Sequence, residues 1–222
     1  MTALTQQELV TSILSMPNAP IILEEVGQQL VEERKKRLDF YDKVTDENKV
    51  EFINGEVIVH SPVKKAHNDI TGLLHSVLDI YVRKNKLGYV GYEKLMISLT
   101  RNDYEPDICF FDKSKSNQFT KDQSRFPAPD LVIEVLSKDT AQRDRGIKYQ
   151  DYEAHHVAEY WIIVPKQEVV EQYRLNEEGS YELILKSGTG IIECACVQGF
   201  TIPVRAIFDE VANMEVLEKM FE

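Results

Sequence analysis

Cysteine is scarce in this chain, long apolar runs are missing, and positive charge is in deficit. The 222 residues hold three cysteines, Cys109, Cys194 and Cys196. A sparse, odd set supplies no disulfide framework and fits a reducing compartment. Cys194 and Cys196 stand one residue apart in a stretch that alternates like a strand, so they are expected to share a face. With no second Cys/His pair close by, packing explains them better than zinc does. The longest apolar run is about five residues, against the ~20 needed to span a bilayer. The first residues, MTALTQQELV, lack the basic start and apolar stretch of a secretion signal. A cytoplasmic protein with no membrane partner is the expectation.

Lysine and arginine number 26 against 37 acidic residues, a formal net charge of −11. Such a balance argues against a broad electrostatic footprint on nucleic acid, which calls for a basic surface. It leaves room for an enzyme that grips a phosphodiester through a metal ion and a few local cations. The share of apolar residues, 43%, is that of a folded globular chain rather than a disordered one.

Residues 1–20 read as polar and irregular. Leu23, Val26, Leu30 and Leu38 then recur at helical spacing, which predicts an amphipathic helix over 23–41. VEFINGEVIVH, residues 50–60, is two short alternating segments around Asn54-Gly55, the strongest local hairpin signal because both residues tolerate positive φ. A long helix is predicted from Ala66 to Lys86, with Gly88 placed to cap its end. Strands are predicted over 89–99, 108–111 and 130–136, and the polar stretch between the last two reads as a loop with one short element. A helix over 140–154 and strands over 160–164, 169–175, 181–185 and 191–197 follow, then a helical segment over 206–220. The order predicts an α/β fold in two regions: an N-terminal helical extension over 1–45 and a domain over 46–222.

Two segments carry chemistry. Asp107 opens the apolar strand of YEPDICFF, and Glu134 interrupts the apolar strand of PDLVIEVLS. An ionised carboxylate in so apolar a strand is costly to bury without a partner. Two carboxylates at adjacent strand ends suit Mg²⁺, a hard ion held by one or two carboxylates with water and phosphate oxygens. Such an ion activates water and stabilises charge on a phosphodiester, and a nearby lysine adds to that stabilisation. Lys148 is the candidate, since Asp144, Lys148 and Tyr152 share one helix face at i, i+4, i+8 spacing. The plain alternatives are a buried ion pair of Glu134 with Arg145 or Lys148, and ordinary Pro-Asp turn chemistry for Asp107.

The stretches EFINGEVIVHSP, AHNDI, YEPDICFFD, APDLVIEVLS and DRGIKYQDYEAHHVAEYWIIVP, in that order, resemble the Uma family of inferred restriction endonucleases, within the PD-(D/E)xK nuclease superfamily. They span about half the chain, from Glu51 to Pro165, and FTIPVRAIFDE resembles the family's C-terminal segment. The resemblance implies a restriction-endonuclease-like core, a mixed central sheet flanked by helices, with the extra C-terminal strands added. It also implies metal-binding roles for Asp107 and Glu134, with the Val135 carbonyl as a further ligand. The superfamily's lysine stands two residues after the acidic residue, where this chain has Leu136; the implied replacement is Lys148. Glu56, His67 and Glu93 are accessory candidates. The expected function is a homodimeric, Mg²⁺-dependent (or Mn²⁺-dependent) endonuclease acting on DNA. The rival expectations are a catalytically silent nuclease fold serving as a dimeric interaction module, and a hydrolase of RNA or a smaller phosphodiester.

Overall fold

A computed structural model describes residues 5–45 and 48–222. Residues 1–4, in the stretch expected to be irregular, and 46–47, where the expected domain boundary falls, lie outside it. The chain opens with α1 (Gln6–Leu14) and α2 (Ala19–Lys43). The irregular reading of residues 1–20 is therefore corrected over α1. Thr5 and Glu8 form a reciprocal capping box, satisfying two backbone donors that a helix start leaves free. The far end of α2 is fastened to the body. Arg37 donates to Asp103 Oδ2 at 2.6 Å and Oδ1 at 2.8 Å, beside the Tyr41 hydroxyl, which donates to Oδ1 at 2.8 Å.

The hairpin β1 (Val50–Ile53) and β2 (Glu56–Val59) turns on Asn54 and Gly55, with φ of 50° and 83° as expected. After it come α3 (Lys65–Asn85), β3 (Gly88–Tyr92), β4 (Met96–Ser98), β5 (Asp103–Tyr104) and β6 (Ile108–Asp112). Two details differ from expectation. Lys86, not Gly88, takes the left-handed cap of α3 (φ 55°). Gly88 instead lets β3 run hard against β6, since a Cβ there would overlap the Phe111 carbonyl. The single strand expected over 89–99 is split by a turn at Glu93, φ 62°, and its halves join different sheets.

The chain continues through α4 (Lys113–Ser116), β7 (Arg125–Phe126) and β8 (Leu131–Val135). The helix expected over 140–154 is broken into α5 (Ala141–Asp144) and α6 (Ile147–Ala154) at Gly146, where a Cβ would meet the Gln142 carbonyl at 2.8 Å. Then come β9 (Glu159–Val164), β10 (Val169–Leu175), β11 (Tyr181–Ser187), β12 (Ile191–Glu193), β13 (Thr201–Pro203) and α7 (Glu210–Lys219).

Six strands form the central mixed sheet, in the order β11-β10-β9-β8-β6-β3. β8 and β9 run parallel and the other neighbours antiparallel. A second sheet, β2-β1-β5-β4-β7, stands beside it, and β12 pairs only with β13 rather than completing the main sheet. The central strands are covered on both faces, which accounts for their nearly unbroken apolar runs. Phe110, Ile133, Val135 and Trp161 pack on one side with Leu74 and Leu78 of α3. Phe111, Val132, Tyr160 and Ile162 pack on the other, with Tyr152 of α6 and Ile97 and Tyr104 of the second sheet.

Candidate active site

Strand alternation decides where the two carboxylates go. Ile108 pairs with Ile133 across β6 and β8, so Asp107, just before β6, comes into register with Glu134. Both belong to the odd-even set that includes Cys109 and Val132, so both point toward α6 and the second sheet. They are 4% and 3% exposed. Burial of two acids in one place demands cations, and the surrounding elements bring them.

Asp107 collects three partners. Lys49, one residue before β1, donates to Oδ1 at 2.7 Å. Oδ2 accepts the Val135 N–H at 2.8 Å and lies 3.1 Å from His67 Nε2, in the first turn of α3. Burial works to raise the Asp107 pKa; Lys49 and then His67 outweigh it and hold the carboxyl below its usual range. A strand residue turns its N–H and C=O to the same side, so the Val135 carbonyl, like its N–H, is directed to the β6 side of β8.

Lys148 is 1% exposed and stands among three carboxylates. Its ammonium is 2.9 Å from Glu134 Oε1, 2.7 Å from Glu51 Oε1 and 3.4 Å from Asp144 Oδ1. The break at Gly146 leaves Asp144 and Lys148 one turn apart on the same side. Burial pulls the lysine pKa down, but Glu134, Glu51 and Asp144 together raise it well above its ordinary value. Lys148 is therefore a fixed positive charge. Around it the Tyr152 hydroxyl donates to Glu134 Oε1 at 3.4 Å, and the Tyr104 ring lies 5.6 Å away.

Even so, negative charge is in excess. Burial, with Asp144, Asp107 and Glu51 nearby, overrides Lys148 and pushes Glu134 up to about 8. Asp144 is raised by burial as well, and among the described residues its Oδ1 has no hydrogen-bond partner. An all-oxygen donor set short of positive charge fits a hard divalent cation of the Mg²⁺ or Mn²⁺ type. Asp107, Glu134 and the Val135 carbonyl are the groups that would hold it.

The structure thus brings together Asp107, Glu134, Val135, Lys148 and His67. Of the other two candidates, Glu56 lies elsewhere and Glu93 meets Asp107 through its backbone. Glu56 is exposed at the turn end of β2, its backbone paired with Ile53. Glu93 is a turn residue that donates its backbone N–H to the Asp107 carbonyl at 3.0 Å. Sequence reasoning missed Glu51 and Lys49. Glu51 is wholly buried in β1, and Lys148, ahead of His60, holds its carboxyl down at about 2 against the cost of burial. His60 Nε2 approaches Glu51 Oε2 to 2.9 Å, outside hydrogen-bond alignment. The signal was the one that marked Glu134, a carboxylate inside a short apolar strand, VEFI.

A mixed sheet flanked by helices, with Asp107 and Glu134 on its central strands β6 and β8 met by Lys148 from helix α6, has the architecture of a restriction-endonuclease-like protein. The chain belongs to the Uma2 family, described as "Putative restriction endonuclease", which matches residues 35–205. The fold is similar to the crystal structure of a "putative nuclease belonging to DUF820" from Anabaena variabilis. The two share 21% identity with a TM-score of 0.66, over 76% of this chain and 94% of that one. No match was found among curated proteins. Among the described residues no helix is long and apolar enough to cross a membrane.

Proposed function

We propose that this protein is a divalent-metal-dependent endonuclease that hydrolyses DNA phosphodiester bonds at the Asp107–Glu134–Lys148 cluster. The observation that carries the reading is the register of two buried strand carboxylates with a lysine ammonium 2.9 Å from one of them. Asp107, Glu134 and the Val135 carbonyl hold Mg²⁺ or Mn²⁺. When bound, the ion supplies an activated water and neutralises charge on the phosphate.

Lys148 does not act as the base, because its neighbours keep it protonated. Its part is to offset negative charge developing on the phosphodiester. Glu51 orients Lys148 through its 2.7 Å contact, and the Tyr104 ring lies 5.6 Å from the ammonium. The net charge of −11 leaves DNA contact to local cations rather than to the whole surface. We place the enzyme in the cytoplasm, whose reducing poise suits its three free thiols. It works as a homodimer joined through the N-terminal extension, where Leu14, Ile21 and Leu23 are all more than half exposed. Light scattering that finds only monomer removes the dimer.

One observation favours a second reading, a silent nuclease fold serving as an interaction module. Lys49 already occupies Asp107 Oδ1, so an ion must displace it or bind beside it. Cleavage of supercoiled plasmid with Mg²⁺ and then Mn²⁺, by wild type beside Glu134→Ala, separates the two. Metal-dependent nicking lost in the variant supports the enzyme. Equal activity in both identifies a contaminant, and metal titration that leaves the melting temperature unmoved favours the silent fold.

A further inference from the structure

At the other end of β8 and β9, on the opposite face of the central sheet, lies a second reactive group. Glu159 opens β9, paired with Leu131 at the start of β8, and faces Cys194 and Cys196 beyond β12. In a straight strand, residues i and i+2 are about 6.6 Å apart and their side chains stay separate. Here the loop between β12 and β13 is drawn inward. Glu159 Oε1 accepts the N–H of Ala195, the middle residue of Cys-Ala-Cys, at 2.6 Å. The Cys194 N–H donates to the Phe200 carbonyl at 3.1 Å, and the Phe200 N–H donates to Val197 at 3.0 Å. The resulting bend brings the two sulfurs to 3.3 Å.

The three side chains are close enough to hold a metal ion, but the carboxylate is already saturated. Glu159 Oε2 accepts from Trp161 Nε1 at 2.8 Å and from Gln172 Nε2 at 2.9 Å. Oε1 accepts from Arg174 Nε at 3.2 Å as well as from Ala195. A carboxylate offers about four acceptor positions, and these donors use them. Two sulfurs alone fall short of the four ligands of a structural zinc site. What is left is a pair of thiols, one buried and one partly exposed, held in contact by a backbone clamp.

We propose that Cys194 and Cys196 form a reversible dithiol site that closes to an intrachain disulfide under peroxide. The partly exposed Cys196 sulfur gives up its proton and attacks one peroxide oxygen; the O–O bond breaks, the departing hydroxide takes that proton and leaves as water, and a sulfenic acid remains. Cys194 sulfur then attacks the Cys196 sulfur, the S–O bond breaks, and a second water leaves. In sum, two thiols and one hydrogen peroxide give one disulfide and two waters. The sulfurs need only close from 3.3 Å to the ~2.05 Å of a bond. A dithiol reductant reverses the step by exchange. The site shares no residue with the nuclease cluster, so it stands whether or not the chain cuts DNA.

The test uses the full reduced chain, treated with hydrogen peroxide, alkylated under denaturing conditions and digested with trypsin. Both cysteines fall in one peptide, residues 187–205, between Lys186 and Arg205. The expected product is that peptide unalkylated and about 2 Da lighter, restored by dithiothreitol, while buried Cys109 stays alkylatable. Cys196→Ser, checked for native circular dichroism, should lose the product and leave Cys194 alkylated. A doubly alkylated peptide after peroxide overturns the proposal. So does irreversible oxidation of Cys196 with Cys194 still free, or a disulfide between two chains.

Discussion

Lys148→Met removes the one cation that touches three buried carboxylates. The methionine fills similar space, so the loss is electrostatic rather than a cavity. Glu51 and Glu134 lose contacts of 2.7 and 2.9 Å, and Asp144 its 3.4 Å neighbour. Deleting one partner of a buried ion pair costs about 3–5 kcal/mol. For a chain of this length each kcal/mol moves the melting temperature by about 2–4 °C, so a drop of roughly 6–20 °C is expected. The pH dependence gives the sharper test. Without the lysine, the folded-state pKa values of these acids rise above their unfolded values, so the penalty is full at high pH. It fades as pH falls and the carboxyls take up protons. Thermal unfolding followed by circular dichroism at about pH 8 and about pH 5.5 should show the gap from wild type narrowing. The double variant Lys148→Met/Glu134→Gln should recover part of the loss. A variant as stable as wild type at both pH values would refute the charge argument.

Metal binding should be pH-linked as well. Glu134 is pushed up to about 8 chiefly by burial, and an ion takes the carboxylate only when it is ionised. Thermal stabilisation by Mn²⁺ is therefore expected to grow from about pH 6 to about pH 8 and to vanish in Asp107→Ala; a flat response counts against the assigned ligands. In the metal-free protein the same raised pKa means that the folded chain holds this proton more tightly than the unfolded one. Its contribution to stability is lost as pH rises from the ordinary carboxyl range through about 8. Glu51→Gln should lower metal-dependent nicking by about 10–100-fold, the usual cost of losing an orienting partner; wild-type rates would remove Glu51 from the site. Arg37→Ala strands the buried Asp103 carboxylate and should cost about 2–3 kcal/mol in urea unfolding; unchanged stability would show that α2 is held by other contacts.

What could be read from the sequence follows from how local each signal is. Asp107 and Glu134 were legible because a lone acid in an apolar strand has a single-strand signature, and the period of two fixes its face. Helical spacing set Lys148 on one face with Asp144, a contact that survives the break at Gly146 at 3.4 Å, but only the resemblance of the flanking stretch singled it out. Thr5 and Glu8 carried a local capping signal that went unread, so α1 was taken as irregular. The turn at Glu93 had no local marker. Its positive φ rests on a residue that rarely adopts it, and the splitting of β3 from β4 is a demand of the two sheets they join. Lys49 and Glu51 illustrate the same divide. Glu51 obeys the rule that exposed Glu134, but the choice of Glu56 over Glu51 could only be corrected by knowing which end of the hairpin meets α6. Lys49 lies 58 residues from Asp107, and nothing in its neighbourhood marks it.

The acidic composition is easier to reconcile with a phosphodiester site once the charges are placed. Counted along the chain, −11 predicts repulsion from DNA. Within the cluster, however, Asp107, Glu134, Glu51 and Asp144 are faced by Lys49, Lys148 and two imidazoles, and Glu134 is still driven toward its neutral form. The deficit at this point is one of positive charge, and a divalent ion supplies two units of it. Lys49 makes the same argument from the other side. It sits on Asp107 Oδ1, where an incoming ion would otherwise find an open ligand, so the cluster offers a cation either the lysine's place or a position beside it. Lys49→Met distinguishes these. If the lysine competes, the variant binds Mn²⁺ more tightly, seen as a thermal shift at lower metal concentration. If it instead holds Asp107 for the ion, affinity falls, and Lys49 belongs with Glu51 among the residues that position the site.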